Sequence, residues 1–340
     1  VRCFYHEGYY FPLPAEHPFP MDKFWRAEAF IRDASADLVC HLLSDKLPAL
    51  SRIPDEITPP VNQTTCHLIG DNRRLAKISI YSVEPAPFEE ILRIHTPEYL
   101  EKIRTGTLDH VAALKLGLPA CEALLTRSRL EVAGTLAAAH AALADGLACN
   151  LAGGTHHAFP DRGQGYCVLN DVAIAIRDLH VTKPTLRVFV LDTDAHQGNG
   201  THAIFSADTR VFTYSIHVGK NYPALKVPGS LDVELPRYVA GADYLEALES
   251  TLVPALHEFA PDLVIWIAGA DPHEADRFGQ MKLTDANLAA RDRHILQHVT
   301  SQHLPTAILY GGGYNRDREH TARIHADTVL RAATFFHPKL

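Results

Sequence analysis

The sequence predicts an α/β fold with a mainly parallel central sheet covered by helices on both faces. Three observations carry this reading. From residue 149 onward, short apolar runs alternate with helical periodicities, the order that strand–helix–strand units impose. The strand runs, such as Val188-Phe-Val-Leu191, are continuously apolar instead of alternating, as expected when both faces of a sheet are buried. Four unusual polar motifs also follow directly on four of these strands, where open α/β sheets place their ligand crevice.

Taken in order, residues 1–5 read as an edge or outer strand. Residues 9–21, rich in aromatics and proline, read as an irregular segment. A helical pattern covers 22–43. Residues 47–72 are loop-like with several prolines, and 77–82 read as a strand or a short apolar link. Two short helices, 87–94 and 97–103, each have a proline near the start, where its fixed φ suits a first turn. The Ala-rich stretch 128–147 carries apolar residues at helical spacing and reads as a buried helix. Strands are then expected at 149–152, 187–192, 211–217, 263–268 and 305–310. Helices are expected at 170–179, 200–205, 242–259, 284–300 and 319–335, with a polar, proline-containing loop at 218–228. No internal repeat, low-complexity tract or linker interrupts the pattern. Residues 1–340 therefore read as one domain, the first hundred packing around the α/β unit.

The bulk numbers set limits. The 340 residues are 46% apolar and 21% charged, enough for a large core. A formal net charge of −8 gives no general footprint for nucleic acid, and no such partner is expected. No long uncharged apolar segment would span a bilayer. The six cysteines are scattered without a CxxC pair, which points to reduced thiols and a cytoplasmic location. The opening residues read as a strand and not as a signal peptide.

The chemistry gathers around Asp192-Thr-Asp-Ala-His196, at the end of an apolar strand. Side chains alternate along an extended chain, so Asp192, Asp194 and His196 should point the same way while that geometry lasts. Two carboxylates and an imidazole crowded at a buried strand end suit a divalent cation. The bland alternative is a capping loop in which the carboxylates bond backbone amides. With Asp271, Asp194 and His196 make three oxygen and nitrogen donors, leaving room for water and substrate. Zinc is favoured, and iron(II) or cobalt would also suit. His156 and His157 lie in a Gly-rich loop and titrate near neutrality, so one can act as base and the other as acid or electrostatic partner. Asp192 could pair with one imidazole and Asn199 could orient the other without adding charge. Tyr314 follows Gly311-Gly-Gly313, and its phenol could donate to a developing oxyanion, or simply pack over the glycine turn. The glycines lack either nucleotide-loop pattern. Tyr166 and Tyr222 could flank a narrow apolar channel.

These motifs resemble the zinc-dependent histone deacetylase superfamily, over most of the chain and in the family's order. The resemblance includes the paired histidines, the Asp-x-Asp-x-His strand end, Gly269-Ala-Asp271 and Gly311-Gly-Gly-Tyr314. It extends to His17-Pro18 and Ile94-His-Thr-Pro-Glu-Tyr-Leu100. Asp194-Ala-His-Gln-Gly-Asn-Gly200 and Ala275-Asp-Arg-Phe-Gly279 are most similar to the class IV branch. The likeness implies a three-layer arginase/deacetylase-like fold and hydrolysis of an acyl amide, with acyl-lysine in a protein or peptide as substrate, acetyl or longer. It implies Asp194, His196 and Asp271 as zinc ligands, His157 as general base and acid, and His156 with Asp192 as electrostatic partner. It also implies Tyr314 as carbonyl polariser, and Gly165 and Tyr166 as channel lining with Tyr222 opposite. A structural potassium ion would use Asp192, Asp194, His196, Ser215 and Ile216. Three departures are visible. Asn199 stands where class I members carry aspartate. Lys23 takes the place of an arginine near the family's internal acetate channel. Asp271-Pro-His-Glu274 is bulkier than usual. Two other readings are a hydrolase of small acylated amines such as acetylpolyamines, which would want an acidic entrance built from Glu274 and Asp276, and a non-catalytic acyl-lysine binder.

Overall fold

The computed structural model describes residues 1–44 and 78–335. Eight strands form one sheet: β1 Arg2–Phe4, β2 Ser79–Tyr81, β3 Leu147–Asn150, β4 Val188–Asp192, β5 Val211–Val218, β6 Leu231–Leu235, β7 Leu263–Ile267 and β8 Thr306–Leu309. Their order across the sheet is β2-β1-β3-β8-β7-β4-β5-β6, and every pairing is parallel. Strands β3, β4, β7 and β8 are buried at every position, which requires cover on both faces and explains their unbroken apolar runs.

Ten helices supply that cover among the described residues: α1 Lys23–Ser44, α2 Phe88–Ile91, α3 Pro97–Thr105, α4 His110–Leu116, α5 Glu122–Asp145, α6 Asp171–Thr182, α7 Asn199–Phe205, α8 Gly241–Phe259, α9 Asp285–Ser301 and α10 Arg318–Phe335. They form two packed groups. Helix α5 touches α3 and α6, and α6 touches α2 and α7. On the other side α1 packs on α10, α10 on α9, and α9 on α8. The result is the helix–sheet–helix layering that the apolar runs predict.

The register positions everything that follows. Asn150 lies opposite Leu309, Leu309 opposite Ile267, and Ile267 opposite Asp192. Four neighbouring strands thus end on one level, and the four polar motifs leave the sheet side by side.

Strand β1 is not at the edge: β2 pairs outside it. Helix α4 and strand β6 have no counterpart in the sequence reading. The loop expected at 47–72 lies outside the described residues.

Candidate active site

Asp194, His196 and Asp271 are buried, and one donor atom of each lies within 4.8 Å of the others. They arrive differently from the simple alternation expected of a strand. The extended run stops at Asp192, and the chain then bends. Asp192 Oδ1 accepts from Asp194 N, and Asp194 Oδ1 accepts from His196 N, both at 3.0 Å. The carboxylates therefore do bond backbone amides, and those bonds make the bend that aims His196 inward. Asp192 itself turns to His156. Across the sheet, Gly312 N donates to Asp194 Oδ2 at 2.7 Å and Ala195 N to Asp271 Oδ1 at 2.9 Å. These bonds tie the β4, β7 and β8 loops together.

The donor set fits a cation. His196 Nδ1 lies 3.0 Å from Asp194 Oδ1 and 2.8 Å from Asp271 Oδ2. One ring nitrogen has a single proton or a single lone pair and cannot serve both oxygens. Asp271 Oδ2 is buried with no hydrogen bond. Burial and the Asp194 charge push the Asp271 carboxyl up to about 7. An unpartnered buried oxygen beside a like charge is costly unless a positive ion compensates it.

The paired histidines differ in charge. His156 Nδ1 is 2.6 Å from Asp192 Oδ2. Burial opposes its protonation, but the Asp192 and Asp194 carboxylates outweigh this and push it up to about 9. His157 Nδ1 lies 2.9 Å from Asn199 Oδ1, a neutral acceptor that holds the proton on Nδ1 and leaves Nε2 with a lone pair. Burial, with the positive charges of His156 and His196, depresses its pKa well below the usual histidine range. One ring is thus held charged and its neighbour neutral, with centroids 4.1 Å apart.

A cavity of about 290 Å³ opens above these groups. Gly165, Tyr166, Tyr222, Phe278 and Tyr314 line it, with His157 and His196 at its inner end. Tyr222 meets His157 edge-on at 4.9 Å, and Tyr166 and Phe278 lie 5.9 and 5.3 Å from the Tyr314 ring. Tyr166 adopts φ 66, and the ring is braced by His17, which itself contacts Gly117 O at 2.9 Å. Lys23 is buried behind Tyr314, its Nζ donating to Gly311 O at 2.9 Å with the Phe19, Phe24 and Tyr314 rings around it. Burial lowers it to about 8 against the pull of Asp271 and Asp194. Ser215 and Ile216 lie on β5, where Ser215 is the register partner of Asp192.

Comparison with known proteins decides what this arrangement belongs to. The model of the histone deacetylase domain matches residues 59–330. The chain belongs to the histone deacetylase family. Similar proteins include an uncharacterized protein of Picosynechococcus, 35% identical over 92% of both chains. Histone deacetylase 2 of Arabidopsis thaliana is 30% identical over 73% of this chain and 66% of that one. The acetoin utilization protein AcuC of Staphylococcus aureus is 31% identical over 75% and 72%. Among solved structures, an HDAC homolog complexed with SAHA superposes with a TM-score of 0.72, at 22% identity, over 98% of this chain and 83% of that one. The HDA15 HD domain gives 0.70 at 20% identity, over 100% and 90%. The fold is thus that of the histone deacetylases, and the chain is a hydrolase of that family, whose substrates are acylated. No described helix is long and apolar enough to cross a membrane.

Two residues of this candidate site have roles that sequence reasoning misses. Asp171, the first residue of α6, accepts from Gly154 N, Thr155 N and the Thr135 hydroxyl, pinning the Gly-His loop. Asp276 is not an entrance charge. Its carboxylate accepts from the backbone of Phe278, Gly279 and Tyr314. It shapes the turn under Tyr314, and neither it nor Glu274 lines the cavity. The acidic entrance expected for a small-amine hydrolase is absent among the described residues. What reveals these roles is non-local: the Gly154 and Thr155 amides with the Thr135 hydroxyl around Asp171, and the Tyr314 amide on Asp276.

Proposed function

We propose that this protein hydrolyses acyl-lysine in proteins or peptides, with residues 1–340 acting as one catalytic domain. One observation carries the reading: a buried two-carboxylate, one-imidazole donor set lies beside one neutral and one charged histidine, at the inner end of an aromatic-walled cavity. Asp194, His196 and Asp271 would hold a divalent ion, zinc by donor type, with iron(II) and cobalt as other fits. When bound, such an ion acidifies water and polarises a carbonyl. His157 Nε2 takes the proton of the attacking water, because its ring is neutral and its Nδ1 is committed to Asn199. His156, kept charged by Asp192, stabilises negative charge as it develops. The Tyr314 phenol donates to the acyl oxygen, where the charge grows in the transition state. His157 then returns its proton to the departing lysine amine. Gly165, Tyr166 and Tyr222 admit the narrow alkyl stem of lysine and exclude water around it.

Two finer readings belong to the same proposal. The Asp194–Gly200 and Ala275–Gly279 runs support placement in the class IV branch, and with it activity on longer fatty acyl groups. The pairing of Asp192 with Ser215 supports a structural potassium ion, held by Asp192, Asp194, His196, Ser215 and Ile216, partly through backbone carbonyls.

The test is a panel of lysine peptides carrying acetyl to long fatty acyl groups, with acetylpolyamine as competitor, on zinc-loaded protein. Peptide with an unacylated lysine amine should appear with the free acid, chelation should stop its formation, and Tyr314→Phe should lower kcat by about two orders of magnitude with folding intact. Undiminished turnover after chelation, or a higher kcat/KM on acetylpolyamine than on every peptide, would overturn the reading.

A further inference from the structure

Among the described residues, a second group of three side chains has donor atoms within 4.8 Å of one another: His273, Asp285 and His320. They come from separate places in the fold. His273 follows β7, Asp285 opens α9, and His320 lies in the first turn of α10. Both Nε2 atoms face one carboxylate oxygen. His320 Nε2 is 2.8 Å and His273 Nε2 is 3.3 Å from Asp285 Oδ1, and the rings stand edge to face at 4.6 Å. Helix capping does not explain this. Thr284 caps α9 and forms a capping box with Asn287, so Asp285 is free of that task. His273 is 6% exposed and Asp285 is open to solvent, so the group has a fixed inner wall and a wet outer side.

We propose that His273, Asp285 and His320 form a second divalent transition-metal site, apart from the catalytic donor set. Two imidazoles and one carboxylate are the donors that zinc, nickel and copper prefer, and the exposed side leaves positions for water. The Nδ1 atoms accept weakly. Ala275 N lies 3.2 Å from His273 Nδ1, and Asn315 Nδ2 lies 3.4 Å from His320 Nδ1. Each Nε2 proton therefore points at Asp285, where a cation would otherwise be. Binding moves each ring's proton from Nε2 to Nδ1, with no net release, and requires the two donors now facing Nδ1, Ala275 N–H and the Asn315 amide, to turn away. The position suggests a purpose. His273 is two residues beyond Asp271, so a cation here fastens the loop that carries Asp271 to the first turns of α9 and α10.

The experiment counts metal and does not depend on the acyl-lysine reading. Protein is dialysed to equilibrium against buffered zinc and its content measured by emission spectroscopy. Wild type should hold one equivalent more than Asp285→Asn or His320→Gln. The cobalt(II)-loaded wild type should show an additional ligand-field band that both variants lack. Equal zinc content in wild type and in both variants would overturn the proposal and leave a hydrogen-bonded triad. Asp285 is exposed and outside the cap, so its amide leaves α9 intact; His320→Gln gives the same readout from a second helix.

Discussion

Gly312 has room for a hydrogen and nothing larger. A methyl group built there would meet Asp271 Oδ2 at 2.4 Å and Asp194 Oδ2 at 2.6 Å. Its backbone NH meanwhile orients Asp194. The middle glycine of the Gly-Gly-Gly-Tyr run is thus a spatial requirement of the two carboxylates, distinct from the positive φ of 75° that Gly311 adopts. Gly312→Ala should force the donor set apart. We expect zinc affinity to fall about 10- to 100-fold, the range seen when groups supporting a ligand are removed. Cooperative unfolding should remain. Competitive titration with a chromophoric chelator reads the affinity, and an unchanged value would show that Asp194 and Asp271 are not joint ligands. The same scale separates the two histidines. Their sequence context is identical, Gly-Thr-His-His-Ala, and only the neighbour decides: a carboxylate for His156 and an amide for His157.

At the scale of elements, the segment 94–100 is a clamp. Thr96 caps α3, Tyr99 donates its hydroxyl to Val168 O at 2.7 Å, and His95 Nε2 accepts from Asn170 N at 2.8 Å. Asn170 in turn caps α6 and donates to Ala158 O, at the end of the Gly-His loop. His95 is therefore held neutral, and burial lowers it to about 4. Between pH 4 and 6.5 the unfolded chain binds more protons than the folded one at this position. Its contribution to stability is complete above pH 6.5 and is lost as pH falls toward 4. The loss at pH 5 should be about 2 kcal/mol. Urea denaturation at pH 7 and pH 5 measures it, with His95→Gln as control, because glutamine accepts the same bond and does not titrate. Equal pH sensitivity in both proteins would refute the assignment. The order of the elements was legible in the sequence wherever a buried face left a continuous or 3.6-residue apolar pattern. Strand β6 was not. Leu-Asp-Val-Glu-Leu is a half-exposed edge strand that follows a proline loop. Helix α4 was not legible either. It is two turns long, with only Leu116 buried, and its evidence is the Asp109 cap and the Gly117 stop.

At the scale of the molecule, the site exists because four strand ends share one level. Each motif was readable alone, since an apolar strand followed by His, Asp or Gly-rich residues is a local signal. Their convergence followed from the rule for parallel sheets. The bracing by Asp171, and the hold of Asp276 on Tyr314, were not readable, because which distant amide meets a carboxylate depends on the register of distant strands. That register also sets a conflict between stability and function. It presses Asp271 against Asp194 and leaves Asp271 Oδ2 buried without a hydrogen bond. A cation bound between the carboxylates would offset that cost. Asp271→Asn should therefore reverse the ranking of the two proteins with metal. The amide keeps the Oδ1 that accepts from Ala195 N and replaces the unpartnered oxygen with a donor facing Asp194 and His196. With chelator present, the variant should be more stable than wild type, by about 1–3 kcal/mol, the cost of an unsatisfied buried polar group. With zinc present, wild type should overtake it, because an ion that binds only the folded state adds its own linkage energy and the variant cannot use it. Thermal unfolding of both proteins in chelator and in zinc gives the four values required. A variant less stable than wild type under chelation would mean that Asp271 holds the fold together through its charge, and that the crowded carboxylates are not kept for a cation.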